Sequence, residues 1–177
     1  MHEVNQLPNE KVEDEFFSEI YNEYYPKIYK YALYRVGNPN IAEDLASEIF
    51  EKLWLNYHTY NPKIAKFSTW LFTIANNTII NFYKKNHHQS MTINLEKMEG
   101  KYQLEEIIFE QELREKLIQA IMELDERQRN IIALKFTAGQ TNREIGLMLN
   151  LSESNVGTIL YRSLKSLREL LKEVENI

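Results

Sequence analysis

The sequence predicts an all-α protein: two small helical bundles joined by an acidic linker, the second containing a helix-turn-helix. Three observations predict it. Apolar residues recur at three- and four-residue spacing along almost the whole chain. Glycine occurs 5 times and proline 4 times, too sparse for the many turns of an all-β chain. The periodicity lapses once, in the polar run HHQSMTINLEKMEG, which divides the chain into a first unit over 10–90, a linker over 91–110 and a second unit over 111–177.

The first helix is predicted from about Val12 to Val36, on the stripe Phe17, Ile20, Tyr21, Tyr24, Ile28, Tyr31 and Leu33. Pro26 either kinks it or begins a second helix. Gly37-Asn38-Pro39 reads as a stop and a start, with Asn38 as N-cap and Pro39 in the first helical position. The next helix, to about Tyr57, turns Ala42, Leu45, Ile49, Leu53 and Trp54 one way and Glu43, Asp44, Ser47, Glu48 and Glu51 elsewhere. A loop marked by Asn61-Pro62 leads to a third helix, capped by Ser68 or Thr69 and packed through Leu71, Ile74, Ala75, Thr78, Ile79 and Phe82. Trp54 and Trp70 are assigned to the core.

Helicity resumes near Leu104, with Leu113, Leu117, Ile118, Ile121 and Leu124 as the buried stripe. A helix from Arg127 to Phe136 closes at Ala138-Gly139. Thr141-Asn142-Arg143-Glu144 has the form of a capping box and opens a short helix to about Leu149. Asn150-Leu151-Ser152 is the turn, and Ser152 caps a final helix packed through Val156, Ile159, Leu160, Leu164, Leu167, Leu170 and Leu171.

Composition excludes several classes. There is no cysteine, hence no disulfide framework and no thiolate chemistry. No window approaches a membrane span, and the N-terminal residues lack the basic and apolar regions of a signal peptide, so a cytoplasmic protein without membrane insertion is expected. The four histidines, His2, His58, His87 and His88, have no metal-ligand spacing, and no glycine-rich phosphate loop is present. No catalysis, metal or cofactor is expected.

The net charge of −5 hides an uneven distribution. Residues 52–95 carry five lysines and no acid, where the chain's own acid frequency would place six or seven. Residues 96–126 carry ten acids and four bases; residues 127–177 carry eight bases and five acids. Such an arrangement can present a cationic face on an anionic protein. The acid-free block holds 8 of the 21 aromatics, and its helix shows a polar face of Thr73, Asn77, Asn81 and Lys84. Uncharged amides can hydrogen-bond exposed base edges, aromatic rings can stack unpaired bases, and Lys63, Lys66, Lys84 and Lys85 can hold phosphates. A carboxylate there would repel the strand. An asparagine-rich face can also reflect composition alone, since asparagine occurs 17 times.

In the second unit, the short helix, tight turn and capped longer helix follow the helix-turn-helix order. Asn142 and Arg143 open the first of these helices; Ser154, Asn155, Thr158, Tyr161, Arg162 and Lys165 face outward on the second. Hydroxyls and amides near a helix N-terminus reach base edges, and arginine and lysine suit guanine or phosphate. A solvated helical hairpin would show the same pattern.

AEDLASEIFEKLW, FSTWLFTIANNTIINFYKK and LDERQRNIIALKFTAGQTNREIGLMLNLSESNVGTILYRSLKSLREL together resemble regions two and four of the extracytoplasmic-function sigma factors of bacterial RNA polymerase. The resemblance spans nearly the whole chain. It implies promoter-specific initiation with core RNA polymerase, promoter DNA as duplex and as nontemplate single strand, and a restraining anti-sigma factor. It implies that Asp44, Glu48 and Glu51 dock on the polymerase clamp coiled coil, with the polymerase flap as a further contact. Lys63, Lys66, Thr73, Asn77, Asn81, Lys84 and Lys85 would serve the minus-ten element, with the loop from Tyr57 to Phe67 holding a flipped base. Asn142, Arg143, Ser154, Asn155, Thr158, Tyr161, Arg162 and Lys165 would serve the minus-thirty-five element. Gly157 and Ile159 stand where many members carry basic residues, and Asp125 replaces a common proline, a change expected to be tolerated. No additional ligand-binding domain is expected. The rival reading is a helix-turn-helix regulator that never joins polymerase, its first unit serving as sensor or dimerisation domain; co-elution with core polymerase separates the two.

Overall fold

The computed structural model describes residues 10–86 and 104–175, with side chains over 17–86 and 111–172. The His87-His88 pair and residues 91–103 of the expected linker lie outside them, whereas residues 104–110 of that linker belong to a helix. Among the described residues every regular element is helical: α1 (Glu10–Val36), α2 (Pro39–Asn56), a 3₁₀ turn (Tyr57–Thr59), α3 (Phe67–Lys85), α4 (Leu104–Met122), α5 (Glu126–Phe136), α6 (Asn142–Leu149) and α7 (Glu153–Glu175).

Local chemistry sets most boundaries. Helix α1 is continuous through Pro26, so no second helix begins there. Pro26 and Asn22 are both exposed, and the Asn22 carbonyl that loses its partner is therefore on the watered side. Gly37 reverses the chain at φ +67°, and Asn38 accepts a hydrogen bond from the Ile41 amide at 3.1 Å to start α2. Helix α3 starts at Phe67 behind Lys66, and neither Ser68 nor Thr69 caps it. Both lie inside its first turn; the Thr69 hydroxyl is committed elsewhere.

Asp125 does more than substitute for a proline. Its carboxylate accepts from the Gln128 amide at 2.8 Å while the Gln128 side chain accepts from the Asp125 amide, a full capping box for α5. Thr141 and Glu144 do the same for α6, as the sequence predicts. Asn150 ends α6 in the left-handed region at φ 54°, and Ser152 caps α7 by accepting from the Asn155 amide. The turn between α6 and α7 is tight enough that a Cβ on Gly146 would lie 2.6 Å from the Leu151 carbonyl oxygen.

Helices α1, α2 and α3 pack on one another, and so do α4 to α7; α1 also packs on α4 and α5. The buried apolar residues form one cluster across both groups. The C-terminal end of α1 shows why. Tyr31, Ala32, Leu33, Tyr34, Arg35 and Val36 are all buried, so that end is enclosed on every side instead of along one stripe.

Several core expectations are corrected. Trp54 is 51% exposed and sets its ring edge-on to Phe17, at 5.0 Å between centroids. Trp70 is half-buried in an aromatic cluster. Leu113, 55% exposed, lines an open groove between α1 and α4 with Tyr29, Leu33 and Leu117. Leu164 is 43% exposed, and Ser163 beside it is buried, its hydroxyl donating to the Ile159 carbonyl at 2.8 Å. A hydroxyl satisfied by its own helix can enter a core that a leucine one step round the helix does not reach.

Candidate nucleic-acid interface

Helix α3 is anchored by Leu71, Ala75 and Ile79, all fully buried, with Thr78 buried beside them. That anchoring turns Asn77 and Asn81 out to solvent, spaced four residues apart. Among the described residues neither side chain has a hydrogen-bond partner, so both amides keep their donors and acceptors for a ligand. Thr73 is half-buried, and its hydroxyl donates to the Thr69 carbonyl at 2.8 Å, which leaves its lone pairs as acceptors. Lys84 and Lys85 are exposed in the last turn, where positive charge also suits the helix dipole. The other lysine of the acid-free block on α2, Lys52, is held by Glu48 at 2.7 Å and donates to Thr78 at 3.2 Å.

The loop before α3 is ordered by its own side chains. Asn61 accepts from the Lys63 amide at 2.9 Å, an Asx turn that leaves Lys63 exposed. Behind the loop lies an aromatic cluster: Tyr60 sits 5.3 Å from Trp70 and 5.4 Å from Phe67 between centroids, and Tyr24 lies 5.3 Å from Phe67. Lys66 is in contact with the second unit. Its ammonium lies 2.9 Å from the Glu144 carboxylate, and Thr69 donates to the Gln140 side chain at 2.9 Å.

On α7, Ser154, Asn155, Thr158, Tyr161, Arg162 and Lys165 are all exposed, as the sequence predicts. Val156, fully buried, and Leu167 fix the opposite face. The Thr158 hydroxyl donates to the Ser154 carbonyl at 3.0 Å. Arg143 is exposed on α6, whereas Asn142 is half-buried, and its side-chain carbonyl oxygen is buried without a partner. Asp44, Glu48 and Glu51 form one exposed acidic stripe on α2.

Glu144 is electrostatically distinctive. Desolvation raises its pKa, but the hydrogen bonds from the Thr141 backbone and from Lys66 outweigh that and lower it from 4.5 to about 2. The carboxylate is a firm anion wherever the protein is folded near neutrality.

A buried polar cluster escaped sequence reading. Tyr31 accepts from Arg35 at 3.0 Å and donates to Asn130 at 2.9 Å. The Asn130 amide donates to the Asn76 carbonyl oxygen at 2.9 Å, and Arg35 donates to the same oxygen at 3.2 Å. Arg35 also reaches Glu126 at 3.1 Å, and Tyr83 donates to the Arg35 carbonyl. Burial raises the Tyr31 pKa despite the guanidinium nearby, so its phenol stays protonated. The available signal was an arginine inside an apolar run, ALYRV, four residues after a tyrosine.

Among the described residues no cluster of histidine and carboxylate side chains can hold a metal, and no helix is long and apolar enough to cross a membrane.

Comparison with known proteins places the chain in a family. Models of sigma-70 region 2 and sigma-70 region 4 match residues 20–89 and 114–167. The chain is 30% identical to the ECF RNA polymerase sigma factor SigW of Bacillus subtilis, over 93% of each chain. It is 27% identical to SigM of the same organism, over 86% of this chain and 93% of SigM. To BldN of Streptomyces coelicolor it is 27% identical over 91% of this chain, which spans only 62% of BldN's length. The fold resembles that of the sigma factor RpoE from Bartonella quintana, solved with the anti-sigma factor NepR, at a TM-score of 0.72 and 18% identity over 89% of this chain and 98% of that one. It also resembles CnrH, solved with the cytosolic domain of CnrY, at 0.66 and 18% over 94% and 91%.

Proposed function

This chain belongs to the extracytoplasmic-function sigma factors of bacterial RNA polymerase, and we propose that it directs promoter-specific initiation by dividing the promoter between two of its surfaces. The polymerase supplies the chemistry; this chain supplies the address and holds the opened strand.

Helix α7 grips duplex DNA at the minus-thirty-five element. Ser154, Asn155 and Thr158 reach base edges, and Tyr161, Arg162 and Lys165 fix the register, with Asn142 and Arg143 at the start of α6 serving the same element. Helix α3 takes the nontemplate strand at the minus-ten element. Asn77 and Asn81 bond to unpaired bases, Thr73 accepts from them, and Lys63, Lys66, Lys84 and Lys85 hold the backbone. Unpairing and unstacking a base costs a few kcal/mol, which capture on the protein offsets. The acidic stripe of Asp44, Glu48 and Glu51 docks on the polymerase clamp coiled coil, and the second unit engages the flap. The first unit ends with α3 and the second begins with α4, at Leu104. Like RpoE with NepR and CnrH with CnrY, the chain is held by an anti-sigma factor when not in use.

The observation that carries this reading is the orientation of Asn77 and Asn81, outward and unbonded on a helix without a single acid. The test is run-off transcription with core polymerase on DNA upstream of the protein's own gene, with permanganate footprinting of the opened region. Asn77→Ala is expected to retain polymerase binding and to reduce strand opening on the order of tenfold, the size of one amide–base interaction. Arg162→Ala is expected to weaken discrimination of the upstream element. Unchanged footprints in Asn77→Ala would overturn the assignment of α3.

A further inference from the structure

Two residues where α6 meets α7 are not accounted for by packing or backbone geometry. The first is Gly157, inside α7. Left-handed backbone is taken by Gly37 and Gly139, not by Gly157. A glycine in ordinary helix is destabilising relative to alanine, because it loses more chain entropy on folding. Among the described residues, a Cβ placed there meets only the Asn142 amide nitrogen, at 3.6 Å, an ordinary contact distance. Gly146 is the contrast: a Cβ there would strike the Leu151 carbonyl oxygen at 2.6 Å, so the turn itself requires that glycine. The second residue is Asn142, the first of α6. It is half-buried, its carbonyl oxygen is buried without a partner, and among the described residues its amide nitrogen donates to nothing. An acceptor buried unpaired costs free energy, and the orientation that leaves it so turns the amide donor towards Gly157. The two residues form a notch with a bare backbone floor and a donor on its wall. Ser154 and Tyr161, one turn to either side of Gly157 and both exposed, border it on α7. A donor presented without its acceptor suits an anion. Of the acids nearby, Glu144 sits two residues on, off that face of α6, and is bound to Thr141 and Lys66. Glu153 lies one turn before Gly157, and helix side chains lean towards the N-terminus, away from the notch.

We propose that this notch seats one backbone phosphate of the upstream duplex: the phosphate rests against the Cα of Gly157 and accepts a hydrogen bond from the Asn142 amide. The seat rests on the sigma-factor reading given above and adds a contact to it. The missing side chain lets the strand approach the helix backbone directly. The contact is made to the sugar-phosphate chain, so it reads no base; it sets the depth and register at which α7 enters the major groove, and the residues beside it do the reading. An uncharged amide holds the phosphate without neutralising it, so the seat adds affinity with little salt dependence, unlike a lysine contact.

The test uses the full chain with core RNA polymerase and DNA from upstream of the protein's own gene, with denaturant melts of each variant alongside. Gly157→Ala adds one methyl and restores helix propensity; Asn142→Ala removes the amide together with its unpaired acceptor. Both are expected to melt no earlier than the wild type, so weaker binding cannot be put down to unfolding. Each is expected to weaken binding of the upstream element on the order of tenfold, the size of one bond to a charged acceptor, whichever base pairs of that element are varied. The phosphate is located by replacing one linkage at a time in that DNA with an uncharged methylphosphonate. One linkage is expected to weaken wild-type binding and to make no further difference in Gly157→Ala or Asn142→Ala, since the contact is already lost there. Full-strength binding by Gly157→Ala overturns the seat. So does a scan in which every linkage weakens the variants as much as the wild type. A loss confined to one base-pair identity overturns it as well, and makes the notch a reader of a base edge. If the wild-type chain gives core polymerase no preference for the upstream element, it is the sigma-factor reading that falls, and the seat falls with it.

Discussion

Glu144 shows how much one residue can carry. Its carboxylate completes the capping box of α6, and the same group accepts Lys66 from the first unit. The sequence made the cap legible, because Thr-x-x-Glu before an apolar run has a known local geometry. The ion pair was not legible, since its partner lies 78 positions earlier in the chain. The folded pKa is depressed, so the stability Glu144 contributes is fully present above its ordinary value of 4.5. It is lost as pH falls from there towards about 2. Thermal melts between pH 5 and 3 are therefore expected to fall less steeply for Glu144→Gln, which keeps an acceptor for the cap, than for the wild type. Equal slopes would remove Glu144 from the acid response. Asp125 belongs with it. The sequence marked it only as a departure from proline, and the structure makes it a cap worth about 1 kcal/mol.

Among the elements, the helix-turn-helix was the most legible and α1 the least. Helices α6 and α7 announce themselves through Thr141, Asn150 and Ser152, whose preferences act within three or four residues. The close approach at Gly146 depends on how the turn folds back, and no local pattern encodes it. Two glycines in this element give opposite expectations. Gly146→Ala places a methyl 2.6 Å from the Leu151 carbonyl, a backbone atom that moves only if the turn opens, and is expected to lose about 1–3 kcal/mol. Gly157→Ala meets nothing closer than the Asn142 amide at 3.6 Å, and helix propensity favours it by up to about 1 kcal/mol. Denaturant melts of both variants check the pair; the same sign for both would refute the turn geometry. In α1 the stripe was read correctly at Ile20, Ile28, Tyr31 and Leu33, whereas Tyr21 is 40% exposed, and a stripe implies one packed face. The far end is wrapped on all sides, and Arg35 is buried there for that reason.

For the whole molecule, the net charge of −5 says little about DNA. What counts is that acids are absent over 52–95, and that the fold turns Lys63, Lys84 and Lys85 to solvent there while Lys52 and Lys66 are paired with carboxylates. The number of lysines in the run therefore overstates its free cationic charge. In the polymerase-bound state Lys84→Ala is expected to reduce the salt dependence of promoter binding by about 0.7–0.9 in log–log slope, the change produced when one phosphate of a single strand or a duplex is no longer neutralised. A titration of binding against salt with an unchanged slope would take Lys84 off the DNA.

The sequence by itself determined the helices, the caps of α2, α6 and α7, the acid-free face of α3 and the outward face of α7. Each of these follows from interactions reaching no more than about one helical turn, or from a periodicity that such reach creates. Only the tertiary structure decided that two expected bundles share one continuous core, that Trp54, Leu113 and Leu164 stay partly in water, and that Arg35, Asn76 and Asn130 meet in a buried cluster. Those outcomes depend on which surfaces meet across long stretches of chain, and a polar residue reads the same in a sequence whether its partner is water or a distant asparagine.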